Sequence, residues 1–433
     1  MKVVAFQRGI IAIMKIKTIA RWLVFLLFLA TLLTLSTPSF STPAAVAGRF
    51  TRAVEFDYFS WDVNAFFTKL EQTGLDPKQV ITADQQKQMI WRYLYLTNEL
   101  AAVKVEVQQI YADPHVKDAE KAAKSALARQ AAIQAGLDDL TPLAESILEG
   151  QVAQVIVESG FSRLGNTIPP LLFHTTDLPK ALILSPRDNI QQDANISLLA
   201  DLPLDKITQL EEQVEAATGE SALVVDVGGI GIYPTMVMRS TNLPWIIDTI
   251  VHEWTHNYLV LRPLGLSYDL SPELRTMNET TAAIVGGEIS NLVLEKYYPE
   301  FTAQPTWGRS QASLRLMTDQ FDFRAEMHAT RVHVDELLAQ GKIEEAEQYM
   351  EERRILFVNN GYSIRKLNQA YFAFHGAYAD QPGGAAGEDP VGPAVRTLRA
   401  QSESLADFLR TIGKMNSYDD LLKAISQDQS PKD

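Results

Sequence analysis

The sequence has no cysteine. That excludes a disulfide framework, a Cys-ligated metal site and a thiol nucleophile together. It leaves the compartment open, because a large domain outside the cytosol folds without disulfides. Histidine is scarce, with seven in 433 residues, so any imidazole chemistry rests on a few identifiable positions. A positive balance is missing too, since the formal net charge is −14. An acidic chain lacks the basic face that phosphate backbones require, which argues against nucleic acid as a partner. No internal repeat is present.

What remains is an ordinary globular mixture. Hydrophobic residues make up 46% of the chain, enough to build a core without covalent staples. The length suggests two or three domains. Charge is unevenly placed: residues 1–49 carry Lys2, Arg8, Lys15, Lys17, Arg21 and Arg49 and no acid, which leaves −20 on the rest of a chain whose total is −14.

From Trp22 to Ala47 nothing is charged, and the densest stretch is Trp22–Leu35, WLVFLLFLATLLTL. A spanning helix needs about 20 apolar residues, a length reached only by adding the Ser, Thr and Pro of Ser36–Ala47. Cations precede the run and acids follow it, which places the N-terminus in the cytoplasm and the body outside. Residues 1–49 therefore read as a membrane segment. The preferred reading is an uncleaved signal anchor, because of its long basic lead. The alternative is a signal peptide cleaved at Ala45-Val46-Ala47, with secretion of the body.

The body divides at about residue 150. In 50–150, apolar residues recur at spacings of three and four through Trp61–Leu70 and Met89–Val107, which predicts a helical region. Asp118–Leu137 is rich in Ala, Lys and Gln, which suit exposed helix. The second region, 151–433, opens with β-rich runs between 160 and 240: LLFHTT, ALILS, ALVVDV and IGIYPTMVM, set apart by Pro and Gly. An amphipathic helix is expected at Leu204–Thr218. Helical patterns return over 244–297 and 310–425, broken by the Gly/Pro loop Gln381–Pro393. The fold class expected is α+β, mainly helical, with one small mixed sheet.

Chemistry concentrates at Val251–Leu259, VHEWTHNYL. His252 and His256 are four apart, so on a helix they share one face. Two imidazoles so placed can bind one zinc ion at about 2.0–2.1 Å. Glu253 is next to the first ligand, placed to reach a metal-bound water as general base. Thr241-Asn242 and Pro244 form a helix start, and Pro263 an end. A plain pair of surface or core histidines is the alternative.

A catalytic zinc ion held by two histidines takes a third protein ligand and keeps one position open. No further His lies close in sequence, so a carboxylate must serve. Ser271-Pro272-Glu273 starts a second helix. Glu279 lies two turns into it and is the preferred ligand, with Glu288 in reserve; Glu273 suits the dipole of the first turn. A donor is also wanted where negative charge builds on the carbonyl oxygen. Tyr268, Tyr371, His375 and Tyr378 are candidates, Tyr371 preferred, with core packing as the alternative for each ring. His115 and His174 are read as structural or exposed, and His328 and His333, five apart, as off any shared face. Arg324–Arg354 is read as solvated charged helices.

The pair His252-Glu253-x-x-His256 and Asn278-Glu279-x-x-Ala282 resembles the gluzincins, zinc peptidases that join H-E-x-x-H to a downstream glutamate. The resemblance spans Ile230 to Ser290. A looser likeness, from PPLLFHTT to LNQAYFAFHGAY, is to bacterial membrane-anchored peptidases of this type. It implies a zincin-like catalytic region over 151–433. It also implies one Zn2+ per chain on His252, His256 and Glu279, with Glu253 as base. The chain departs from the family pattern at Ala283, where the thermolysin-like branch carries Asp. It also lacks the G-x-M-E-N element; Gly228–Tyr233 stands in a comparable place without an acid to hold a free α-amine. The function expected is peptide-bond hydrolysis on a peptide or protein substrate. Rivals are another zinc hydrolase such as an esterase, or a tethered binding protein with a relic site.

Overall fold

A computed structural model describes residues 42–72, 81–112, 116–163, 165–302, 321–376, 385, 387 and 389–427. Among these, no helix is long and apolar enough to cross a membrane. The run Trp22–Leu35, His115 and Tyr378 lie outside the described residues.

The chain is mainly helical with small mixed sheets. Four helices come first: α1 (Pro43–Thr51), α2 (Tyr58–Gln72), α3 (Ala83–Ala112) and α4 (Ala119–Glu158). Helices α3 and α4 lie against each other and seal a core through Ile90, Leu94, Leu137, Ile147 and Ile156. The tripeptide Ala45-Val46-Ala47 sits inside α1, and Ala47 is fully buried.

A short ribbon β1 (Ser162–Arg163) and β2 (Asn166–Thr167) leads into two three-stranded sheets. One has the order β3 (Phe173–Thr176), β8 (Thr235–Met238), β7 (Gly229–Ile230), with β3 parallel and β7 antiparallel to β8. The other has β4 (Lys180–Ser185) between β5 (Ala194–Leu198) and β6 (Ser221–Asp226), all antiparallel. The near-continuous apolar run of β4 reflects burial on both faces. Leu182 and Leu184 face α1 and the helix α5 (Leu204–Thr218). Ala181 and Ile183 face Phe374 on a later helix. Helix α5 ends at Gly219, whose φ of +74° is the left-handed cap that a side chain would strain.

The sheet structure differs from the expectation of one sheet. Ile230–Met238 reads as one strand but breaks at Gly231–Pro234, where proline has no N–H for a ladder. Strand β5 goes unanticipated because Asn195 and Ser197 interrupt its apolar pattern.

Helix α6 (Leu243–Leu259), the turn α7 (Pro263–Leu266) and α8 (Pro272–Tyr297) follow, then α9 (Pro299–Thr302), α10 (Phe323–Ala339), α11 (Ile343–Asn359) and α12 (Gln369–His375). Last come α13 (Val391–Gln401), α14 (Leu405–Ile412) and α15 (Tyr418–Gln427). Helices α10 and α11 correct the reading of Arg324–Arg354 as merely solvated: Met327, Val334, Met350 and Phe357 bury one face of each in a shared core.

Candidate metal centre

Helix α6 begins where the sequence places its start. The Asn242 side chain accepts from Trp245 N at 3.2 Å, and Pro244 occupies the first turn. Leu243, Ile247, Ile250, Val251 and Trp254 are buried along one face. Each such apolar side chain contributes about 1.5–3 kcal/mol when buried, so this face fixes the rotation of the helix. Trp254 Nε1 donates to Pro169 O at 3.0 Å and pins it further. Asp248, His252 and His256 are then left to line a cleft of about 630 Å³.

Helix α8 starts on Ser271, whose side chain accepts from Leu274 N at 3.3 Å. Leu274 through Ala282 are all buried, so this stretch of α8 is enclosed on every side, while Leu292 and Lys296 further along are exposed. Packed along α6, it brings Glu279 to the two histidines. Glu288 goes elsewhere, paired with Arg399 at 2.8 Å. Glu273 borders a neighbouring cavity.

Three ligand atoms converge. His252 Nε2 and His256 Nε2 are 3.1 Å apart. Glu279 Oε2 lies 3.3 Å from the first and 3.6 Å from the second. Atoms around a tetrahedral ion bound at about 2.0–2.1 Å sit roughly 3.3 Å from one another, and the three spacings straddle that value. Glu279 Oε2 is buried and accepts no hydrogen bond. A buried, unsatisfied carboxylate oxygen is costly, and a cation among these atoms would remove that cost. The donor set therefore fits a metal ion.

The surroundings hold the ligands still. His256 Nδ1 is 2.8 Å from Asn278 Oδ1, so its Nε2 is turned to the cluster. Tyr268 donates its hydroxyl to Glu279 Oε1, which leaves Oε2 as the oxygen facing the histidines. Arg275 Nε donates to Tyr268 Oη at 3.4 Å and its Nη1 to Ala373 O at 3.2 Å. Burial opposes ionisation of Glu279, but His256 and His252 outweigh it and hold the carboxyl well below its usual range. For His256, burial lowers the pKa, yet Glu279 dominates and lifts it to about 9.

Glu253 is buried beside the histidines. Burial raises its pKa; His252 and His256 pull it down, and Glu279 adds to the rise. The backbone of Gly229–Gly231 covers it closely. A Cβ at Gly229 would fall 2.5 Å from Glu253 Oε1, and one at Gly231 would fall 3.3 Å from Oε2. Glycine at both positions permits that approach.

Of the proposed oxyanion donors, Tyr268 lines the cleft, while Tyr371 and His375 do not. Tyr371 packs among Ala181, Ile183, Ala370 and Phe374 and lies against His375, the ring centroids 4.3 Å apart and the planes tilted by 47°. The residue of α12 that reaches the cleft is Phe374. The run NQAYFAFH turns its phenol into the core because α12 covers the β4–β6 sheet. Burial pushes Tyr371 up to about 12 and His375 down to about 4. His174 joins a buried ion cluster, its Nδ1 3.1 Å from Glu145, and His333 is an exposed partner of Glu336. Asn278 and Arg275 were not foreseen as supports; the one signal was their place in the helix that supplies Glu279.

No family model matches the chain, and neither a curated protein nor a solved structure matches it.

Proposed function

We propose that this chain is a zinc-dependent peptidase of the gluzincin type, with His252, His256 and Glu279 as ligands and Glu253 as general base. One observation carries the reading: three ligand atoms from two helices, 3.1–3.6 Å apart, share an open cleft with a buried fourth group, Glu253. Zinc held there would polarise a water and bring its pKa toward about 7.

The side chains supply the rest. A carboxylate with a raised pKa is a better proton acceptor at neutral pH, and burial gives Glu253 that property. It would take a proton from water and return it to the leaving amine. Tyr268 replaces Tyr371 as the favoured oxyanion donor, a role in which its one hydroxyl proton would turn from Glu279 Oε1 to the carbonyl oxygen as charge builds there. Burial and the adjacent Glu279 keep its phenol well above the usual value, with Arg275 opposing, so it remains an O–H donor throughout the neutral range. The strands β4 and β5 form one wall of the cleft through Lys180, Asn195 and Ser197, and Tyr268 and Phe374 form another. A cleft of about 630 Å³ has room for a short stretch of peptide. The run Trp22–Leu35 supports a membrane tether with the body outside the cytoplasm.

Metal analysis and hydrolysis of a peptide library test the reading together, on the wild type and Glu253→Gln. The expected result is about one zinc per chain in both, with hydrolysis in the wild type only. A wild type without zinc, or two proteins equally active, would overturn it.

A further inference from the structure

The two histidines are not supported alike. His256 has its outer nitrogen, Nδ1, against Asn278 Oδ1. His252 presents Nε2 to Glu279 Oε2 and His256 Nε2, so its Nδ1 also points outward. A metal-bound imidazole ordinarily donates that outer N–H to a carboxylate, a carbonyl or a water, which fixes its tautomer and orientation. Ala283, one turn beyond Glu279, has no group to offer.

We propose that Asp248 supplies this support, receiving His252 Nδ1–H and acting as a positioning residue for the metal centre; the inference rests on the peptidase reading above. Asp248 is one turn before His252 on α6. Helical side chains lean toward the N-terminus, so residue i+4 lies over residue i. The His252 ring thus inclines toward Asp248, and both residues line the cleft beside Glu279 and Ala283.

The facing helix is shaped for this carboxylate. A Cβ on Gly286 would lie 2.8 Å from Asp248 Oδ1 and 3.1 Å from Asp248 O. Contacts that close do not occur without displacement, so the bare backbone at Gly286 is what lets α8 approach Asp248. The spacing along α8 is consistent: Asn278 and Glu279 meet His256, and Gly286, two turns on, meets Asp248. Ala283 falls between them along α8 and lines the same cleft as His252. The supporting carboxylate thus comes from the histidine's own helix, and the facing helix keeps small residues at Ala283 and Gly286 to accommodate it.

The test is zinc affinity of the full chain, measured by competition with a chromophoric chelator, alongside the melting temperature of the metal-free protein. Asp248→Ala should weaken zinc binding about 10–100-fold while the metal-free melting temperature stays at the wild-type value. Asp248→Asn, which keeps the volume, should lose less. Asp248→Ala with Ala283→Asp should regain affinity, because a carboxylate returns from the opposite helix. Cobalt(II) substitution adds a second reading: the visible band should shift in Asp248→Ala and return in the double variant. Wild-type affinity in both single variants overturns the inference. So does an affinity loss accompanied by an equal loss of metal-free stability in both. A wild type that takes up no zinc sinks the peptidase reading itself, and this inference with it. Normal wild-type uptake with unaltered variants sinks this inference alone.

Discussion

His256 Nδ1 and Asn278 Oδ1 are 2.8 Å apart, and the residue after Asn278 is the carboxylate Glu279 that faces the same imidazole from its other side. A single turn of α8 therefore both supports one ligand and provides the next. Asn278→Ala would free the His256 ring to rotate and to change tautomer. Loss of such an outer partner typically costs 10–100-fold in metal affinity, and that is the expected loss in chelator competition. Unchanged affinity would remove Asn278 from the role.

Tyr268 and Tyr371 make a contrasting pair. Tyr268→Phe deletes a hydroxyl that touches Glu279 and lines the cleft, whereas Tyr371→Phe alters a ring packed in the core away from it. Removing one oxyanion donor costs about 10²–10³ in kcat. Steady-state kinetics should show that fall in kcat for Tyr268→Phe, with KM little changed. Because the same hydroxyl also holds Glu279, zinc content is measured alongside and should stay at the wild-type level. Tyr371→Phe should leave both constants at wild-type values. The reverse pattern would return the role to Tyr371.

The sequence made the cluster of His252, His256 and Glu279 legible because its geometry is local. His252 and His256 lie one helical turn apart whatever the rest of the chain does, and the caps at Asn242 and Ser271 mark where both helices begin. Glu279 was reachable because a 26-residue helix starting at Pro272 has few ways to pack against α6. Tyr371 and Tyr268 were harder, because which ring faces a cleft depends on long-range packing. NQAYFAFH has donors at two positions, and contacts of α12 with Ala181 and Ile183 decide which face is buried. Strand β5 was hidden for a related reason: Asn195 and Ser197 look like turn residues until the cleft they line is known. The break at Pro234, a residue easily read as lying inside a strand, turned one expected strand into the antiparallel pair β7 and β8 of a single sheet.

Gly229 tests how tightly Glu253 must be held. In Gly229→Ala the new Cβ would fall 2.5 Å from Glu253 Oε1 and 2.8 Å from Thr249 Cγ2, so the carboxylate or the β7 backbone must move. Displacement of a reacting group by about 1 Å can cost 10²-fold. The expected outcome is a kcat loss of that order with zinc content unchanged, since no ligand is touched. Gly287→Ala is the control. It sits in α8 with nothing within 4 Å of the added methyl, so it should keep full activity and gain about 0.5–1 kcal/mol of stability.

Lys69 ties α2 to the body through two buried carboxylates, at 2.7 Å from Glu145 Oε2 and 2.8 Å from Glu149 Oε1. Glu145 also accepts from Thr175 N at 2.6 Å, and Glu149 from Phe173 N at 2.9 Å. The cluster thus joins α2, α4 and β3. Burial would raise the Glu145 carboxyl, but Lys69 and then His174 outweigh it and hold it at about 2, below the ordinary 4.5. A carboxyl depressed in the folded state stabilises the fold fully above pH 4.5, and that contribution is lost as pH falls from there through about 2. Glu149 runs the other way, raised first by its burial, so it adds nothing to the acid loss. Melting temperature should therefore drop between pH 5 and pH 2.5 more steeply in the wild type than in Glu145→Gln, and parallel curves would exclude this assignment. Lys69→Ala leaves both carboxylates buried without their cation, a change that costs about 3–5 kcal/mol in comparable pairs. Urea unfolding at neutral pH should show a loss of that size, and a loss below about 1 kcal/mol, typical of exposed pairs, would mean that water reaches the cluster.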